Sequence, residues 1–421
     1  MKHRLTALAV LALLGGLLGA ETVFTVDTAV ETALAHNVSA ERSRIAFEAL
    51  ERKSSTAWNV VIPSVQASAG LNRATVSEMK TYYGSLSATL AVSPAVIKMI
   101  DKAHLDFESG AISRETALRT VELAVRKTFY SLMYERENLV LLEGSVKTAE
   151  RQYEQTLAKY KSGLVPEVDL LSAQVSLENL RPSLEAARTQ LLNDEASFKR
   201  LIGIDQSEVI SLEGTLESAL PSDAVDISGV SSASAGVAAL EKKLEVARAQ
   251  KSIARGSAWL PTLSLSYVYK PTKVDVNGAE WEDSGYVSAA VGIALDGFLP
   301  FSSTANDIRD AEANVEDIAL QLADERVSDR LERDSLLRTI GQLNASLKAR
   351  ALSLALAERN YALSEEAYRR GTKDLLSLQD ASDSLQEAKL AYMKESHSLV
   401  STVLDLEYAI GVPLGTLGRK E

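Results

Sequence analysis

Among its 421 residues the chain has no cysteine, nine prolines and three tryptophans. Without cysteine it has no disulfide, no thiolate metal site, no sulfur nucleophile and no thiol for lipid attachment. Histidine is scarce as well: His3, His36, His104 and His397 are scattered. None pair at helical ligand spacing, and neither His-Glu-x-x-His nor a glycine-rich phosphate loop after a strand is present. Positive charge is not in excess. The formal net charge is −12, and no basic stripe offers a footprint for nucleic acid. Beyond the N-terminus no apolar run reaches the length of a helical membrane span, so any crossing must be made by strands. These absences nominate no catalytic residue, no metal site and no cofactor, and the chain is read as non-enzymatic.

At the N-terminus Lys2, His3 and Arg4 precede an apolar run from Leu5 to Leu18 and then Gly19-Ala20. This pattern predicts a secretory signal peptide over residues 1–20, with cleavage after Ala20.

The rest of the chain repeats itself. Tyr160-Lys161-Ser162-Gly163 and Tyr368-Arg369-Arg370-Gly371 lie 208 residues apart, and Leu201-Ile202-Gly203-Ile204 recurs as Ala409-Ile410-Gly411-Val412 at the same offset. Ala57-Trp58 pairs with Ala258-Trp259 upstream. The spacing predicts two helix–strand–strand–helix units, residues 21–204 and 237–412, joined by a connector at 205–236 and followed by a tail at 413–421. The connector, rich in Ser, Asp, Gly and Ala, reads as irregular with little packing power.

Within each unit the hydrophobic period changes from helical to alternating. A first helix is expected over 27–57. Then Val65, Ala67, Ala69 and Leu71 oppose Gln66, Ser68, Gly70 and Asn72, and the pattern resumes with Leu86, Ala88, Leu90 and Val92. The second unit matches with Leu263, Leu265, Tyr267 and Tyr269, then Val287, Ala289, Val291, Ile293 and Leu295. Four two-faced strands of this length suit a tilted crossing of a hydrocarbon core. Long helices follow, with Val125, Leu132, Leu139, Val146, Tyr153 and Tyr160 every seven residues and Ile340, Leu347, Leu354, Tyr361 and Tyr368 at matching positions. A sustained seven-residue repeat specifies coiled-coil packing. Four strands leave two open edges, which points to symmetric association.

The stretch Thr28-Ala29-Val30-Glu31-Thr32-Ala33-Leu34-Ala35-His36-Asn37 and the two hairpin ends, Tyr160-Lys161-Ser162-Gly163-Leu164-Val165-Pro166-Glu167-Val168-Asp169 and Tyr368-Arg369-Arg370-Gly371-Thr372, resemble the TolC-like outer-membrane efflux proteins. The resemblance covers essentially the whole mature chain. It implies a mainly α chain with a membrane β portion. Four transmembrane strands per protomer would form a homotrimeric twelve-stranded β-barrel, continued by a periplasmic α-helical tunnel. It further implies a place in the outer membrane and a role as exit duct in efflux or type I secretion. The partners would be a periplasmic adaptor and an inner-membrane RND, ABC or MFS transporter. Where family members often carry Gly-Gly at the strand-to-helix passage, this chain has Ser93-Pro94-Ala95 and Asp296-Gly297-Phe298.

By position in the motif, Tyr368 and Lys373 would face Asp169 of a neighbouring hairpin and form a periplasmic latch. Asp380 would contribute to an acidic constriction ring, whose second family position is Ser377 here, and three such carboxylates near an axis favour cations. Tyr160, Gly163, Gly371 and Thr372 would form the hairpin tips on which an adaptor docks. Trp58, Trp259, Trp281 and Tyr286, near strand ends, are read as membrane-interface aromatics. The alternatives are a periplasmic coiled-coil scaffold without channel activity, and an exported hydrolase, for which the sequence supplies no convergent polar pocket.

Overall fold

The computed structural model describes residues 22–75, 79–221, 234–275 and 279–417. The expected signal peptide, the middle of the connector and the last four residues lie outside the described residues. In chain order the elements are β1 (Thr22–Phe24), α1 (Val26–His36), α2 (Val38–Ser55), β2 (Ser64–Arg73), β3 (Lys80–Val92), α3 (Ala95–Lys161) and α4 (Glu167–Ile202). There follow β4 (Ile210–Leu212), α5 (Ala235–Trp259), β5 (Thr262–Tyr269), β6 (Thr272–Val274), β7 (Gly285–Gly292), α6 (Ser303–Arg369) and α7 (Leu375–Ile410). Helices α3 and α6 have 67 residues each, and α4 and α7 have 36 each. None of the described helices is long and apolar enough to cross a membrane.

The chain divides into two compact units, one of Met1–Arg42, Thr116–Ser234 and Asp329–Glu421, the other of Ser43–Glu115 and Ala235–Ser328. The second unit holds an antiparallel sheet in the order β2-β3-β5-β7, with the short β6 also pairing β3. Its register aligns the alternation seen in the sequence. Val65, Ala88, Tyr267 and Val287 form one cross-strand row, and Val92, Leu263 and Val291 another on the same face. Ser64, Thr89, Ser266 and Ser288 form a row on the other face, where the Ser266 and Ser288 hydroxyls are 2.6 Å apart. Because side chains alternate with period two, this register sorts apolar residues to one face and small or polar ones to the other. Among the described residues nothing covers the apolar face: Val287 is 79% exposed and Val65 70%. In the same unit, Val237, Leu244 and Ala247 of α5 pack on Ile318 and Leu322 of α6, and Phe47 of α2 meets Phe107 of α3 at 5.1 Å between ring centroids.

The first unit is helical apart from the short β1–β4 pair. Its largest core cluster joins Ala29, Val30 and Ala33 of α1 to Val125, Phe129 and Leu132 of α3 and Phe198 and Ile202 of α4. The seven-residue stripe is buried at Val125, Leu132, Val146 and Ile340, as coiled-coil packing requires. Charged pairs tie the helices side to side: Lys127 to Asp405 at 2.8 Å, Arg136 to Glu195 at 2.9 Å and Arg188 to Glu143 at 2.9 Å. Arg119 donates to the Gly411 and Val412 carbonyls at 2.9 and 2.6 Å, which supplies partners for carbonyls left over where α7 ends.

Three expectations need correction. The single helix over 27–57 is broken at Asn37, whose side-chain oxygen accepts from the Ser39 amide at 2.7 Å and caps α2, while its amide donates to the Leu201 carbonyl at 2.7 Å. The connector is not without packing: β4 pairs in parallel with β1, and Leu216 is buried with Val400, Leu404 and Leu414. The stripe also fails at Tyr160, which is 39% exposed although its counterpart Tyr368 is 6% exposed.

Gly203 caps α4 at φ +78°, and a Cβ there would come within 2.6 Å of the His36 carbonyl oxygen, whereas at Gly163 (φ +71°) a Cβ would meet nothing. Gly163→Ala should therefore cost about 1 kcal/mol of backbone strain alone, and Gly203→Ala roughly 3 kcal/mol, compared by urea unfolding followed by helical circular dichroism. A second prediction concerns Glu135, whose carboxyl is pushed up to about 7 by burial, then by a hydrogen bond and charge repulsion from Asp194. The folded chain holds this proton more tightly than the unfolded chain. Its stabilising contribution is complete below the ordinary glutamate range and is lost as pH rises from about 4.5 through about 7. Glu135→Gln should flatten that part of the stability–pH curve, a change on the order of 1 kcal/mol after solvent screening.

Candidate functional site

The two hairpin ends are built alike. At each, a glycine with positive φ, Gly163 at +71° and Gly371 at +74°, stops the long helix. The next residue's amide then reaches back five positions, Leu164 to the Lys159 carbonyl and Thr372 to the Ala367 carbonyl, both at 2.9 Å. This closure satisfies the last helical carbonyls and needs a left-handed residue, which glycine adopts without a Cβ penalty. The Thr372 hydroxyl adds a bond to the same Ala367 carbonyl at 3.0 Å. Helix α4 then begins behind Pro166 with Glu167 and Asp169 in its first turn, where carboxylates favour the helix dipole. Helix α7 begins behind Asp374, whose carboxylate accepts from the Ser377 amide at 2.9 Å. Hydrogen bonds from the Ser377 side chain and amide hold the Asp374 carboxyl below the usual aspartate range.

Between the hairpins, Tyr368 sits in a small cluster with Ala173, Leu375 and Leu378. The Lys159 ammonium lies 3.8 Å from its ring centroid, a cation–π contact from the first hairpin to the second. The Tyr368 hydroxyl is buried without a hydrogen-bond partner among the described residues. Lys373 donates to the buried Ser364 hydroxyl at 3.1 Å. Asp169 is half-buried, and its amide donates to the Pro166 carbonyl at 3.2 Å. Among the described residues of one chain, no hydrogen bond or ion pair joins Asp169 to Tyr368 or Lys373.

Further along α7, Asp380 is exposed, and Ser377 is occupied in capping. The sequence reading missed that Asp383 and Glu387 continue one face from Asp380. Burial, then the charges of Asp380 and Glu387, raise the Asp383 carboxyl above its usual value. Carboxylates at i, i+3 and i+7 share a helix face, so this stripe was visible in the spacing. Lys159 carried no such signal, because its contact with Tyr368 exists only once two hairpins pack.

The aromatics mark both ends of the sheet. Trp58 and Trp259 stand beside the ends where β2 and β5 begin, both exposed, and the Trp259 indole N–H donates to the Gly297 carbonyl at 3.4 Å. Trp281 lies in the loop before β7 at the other end. Tyr286, the second residue of β7 at the same end, stands in the row of Gln66, Ser87 and Val268, on the face opposite Val287. Among the described residues no group of three His, Asp or Glu side chains has metal-binding geometry.

A family model described as outer membrane efflux protein matches residues 29–204 and 230–412. The chain is 23% identical over 389 residues to the outer membrane protein TolC of Vibrio cholerae, spanning 89% of this chain and 86% of that protein. In fold it is similar to the outer membrane protein VceC of Vibrio cholerae, with a TM-score of 0.74 at 15% identity, covering 94% of this chain and 97% of that one. It is likewise similar to the CmeC outer membrane channel of Campylobacter jejuni, with a TM-score of 0.73 at 18% identity, covering 94% and 87%.

The capping at Asp374 can be tested alone. Asp374→Ala should speed amide hydrogen exchange several-fold at Ser377 and its neighbours, while Asp374→Asn should preserve protection, since either side chain caps a helix. In the native chain the carboxylate form of the cap, favoured at neutral pH, should weaken only as pH falls below the aspartate range.

Proposed function

Because the chain belongs to the outer membrane efflux protein family, and is an outer-membrane protein with a large periplasmic helical part, we propose that three copies close their sheets into one twelve-stranded barrel. The helices continue it as a periplasmic tunnel, and the whole is the exit duct of a tripartite efflux or type I secretion system. Cargo enters from an inner-membrane RND, ABC or MFS transporter through a periplasmic adaptor. The observation that carries this reading is the sheet, with its uncovered apolar face, its small and polar opposite face and its two unpaired edges, β2 and β7. Apolar residues outward and polar residues inward are what a barrel wall needs between lipid and water. Residues 21–204 and 237–412 act as two repeats of one unit, so each copy supplies two hairpins and four strands.

The gate is assigned to the hairpin ends. Asp169 of one hairpin is gripped by Tyr368 and Lys373 of its neighbour across the assembly, and the partnerless Tyr368 hydroxyl supports this, since a buried hydroxyl normally has an acceptor. Lys373 leaves its bond to Ser364 to join. Each exposed link is weak, and threefold repetition makes a latch that an adaptor can release on docking at Tyr160, Gly163, Gly371 and Thr372. Asp380, with Asp383 and Glu387 behind it and Ser377 ahead, lines the constriction and favours cations. Trp58, Trp259 and Trp281 sit at the two membrane interfaces.

Single-channel conductance of the purified protein in planar bilayers tests the reading. The native chain should show a small, cation-favouring conductance. Asp169→Ala and Tyr368→Phe should each raise it several-fold, and Asp380→Ala should reduce cation preference. Lower pH should reduce it too, with Asp383 protonating before an ordinary aspartate. Correct trimers without conductance from any variant would favour the periplasmic scaffold instead.

A further inference from the structure

The register places the start of β2 and the finish of β7 at one end of the sheet, on its two opposite edges. Ser64 pairs Thr89, Leu90 pairs Leu265 and Thr262 pairs Gly292. At this end the chain carries an apolar cluster on each edge. Before β2, the turn Ala57–Val61 leaves Trp58, Val61 and Ile62 in the open. After β7, the turn Asp296–Phe298 and the residues beyond it expose Phe298, Leu299 and Phe301, the last at 94%.

The second cluster is not a loose loop. The Phe298 amide donates to the Leu295 carbonyl at 3.1 Å, Leu299 to Asp296 at 2.9 Å and Ser302 to Leu299 at 3.0 Å. The Thr304 hydroxyl donates to the Asp296 carboxylate at 2.5 Å. Gly297 lies so close to α5 that a Cβ would approach the Ala258 carbonyl oxygen to 2.8 Å. A segment held by this many bonds presents its phenylalanines by construction. At about 150–250 Å² for each aromatic ring, Phe298 and Phe301 alone leave on the order of 300 Å² of apolar surface uncovered on the β7 edge, the scale that marks a contact site.

We propose that residues 298–301 of one copy close over residues 58–62 of the next copy, forming an apolar clasp at the end of each β7–β2 seam. The proposal rests on the barrel reading and adds what holds its seams. Successive strands in the order β2-β3-β5-β7 are antiparallel, so β7 of one copy meets β2 of the next antiparallel, with Gly292 and Ser64 at the same end. Continuity then selects a second copy over lipid as the occupant. Both clusters extend directly from the unpaired edges, and joining the edges brings the clusters together. Neither 57–63 nor 297–303 contains a charged residue, so the contact buries no unpaired charge.

The absence of native cysteine makes the test direct. The full-length chain carrying Ile62→Cys and Phe301→Cys is treated in outer membranes with a short bis-maleimide and run on denaturing gels. Covalent trimers should form at least tenfold more than with either single substitution. If the double variant does not assemble, co-expression of the two single-cysteine chains should give crosslinked dimers. Heat-resistant trimers without crosslinks would overturn the clasp and leave the barrel reading standing, while a native chain that forms no trimers would overturn both. A bimane on Phe301→Cys in assembled trimers should resist quenching by nitroxide-labelled phospholipid. Strong quenching would place the segment in lipid and overturn the proposal.

Discussion

Backbone hydrogen bonding at the edges of one small sheet is the constraint on which the rest of the molecule depends. In hydrocarbon every unpaired N–H or carbonyl costs several kcal/mol, so an open sheet cannot span a membrane and a closed one can. Among the described residues a single chain supplies four long strands and leaves β2 and β7 unpaired on their outer sides. The exposed apolar face of Val65, Tyr267 and Val287 has no cover among the described residues, and the proposed closure of the edges would give the polar rows behind it an interior.

The helices carry a related demand. Leu352, Leu356 and Leu363 of α6 are each about three-fifths exposed, and residues at i, i+4 and i+11 share one face. The opposite side of the same helix is satisfied within its unit, where Ile340 packs with Leu399, Val403 and Leu406 of α7. A helix apolar on two sides belongs to a wall of helices, each flanked by two neighbours. The proposed assembly would therefore serve both parts of the chain, and for different physical reasons: hydrogen-bond closure in the sheet, and removal of leucine from water along α6.

Periodic features were legible in the sequence, and features made by contact between distant segments were not. Strand faces could be assigned because a period of two admits only one register with the apolar residues together, and the rows through Val65 and Val287 follow it. The glycines at 163 and 371 announced the hairpin ends because a left-handed position leaves little other choice. Asn37 read as an interior helical residue, since its capping role depends on the Leu201 carbonyl lying 164 positions away. The pairing of β1 with β4 was hidden for the same reason: three residues are too few to show a period, and each strand exists only through the other. At the hairpin ends the tyrosines looked equivalent, and only packing separates Tyr368 from Tyr160.

That separation bears on how the proposed gate would be both closed and releasable. A strong buried ion pair would hold the ends shut at a high desolvation cost and would resist opening. The structure instead buries an aromatic ring and leaves its charges near water. Lys159 sits over the face of Tyr368, Lys373 donates to the Ser364 hydroxyl within the chain, and Asp169 and Asp380 remain at least partly exposed. The ring's apolar contacts with Ala173 and Leu378 anchor one hairpin to the other within the chain, so a copy keeps its own shape when contacts to a neighbour are lost. At both tips a Cβ on the glycine would meet nothing, and the difference lies in the tyrosines: Tyr160 is exposed where Tyr368 is buried. Two tips with the same turn chemistry thus differ in what their tyrosines do within one chain, Tyr368 packing against the other hairpin and Tyr160 facing outward.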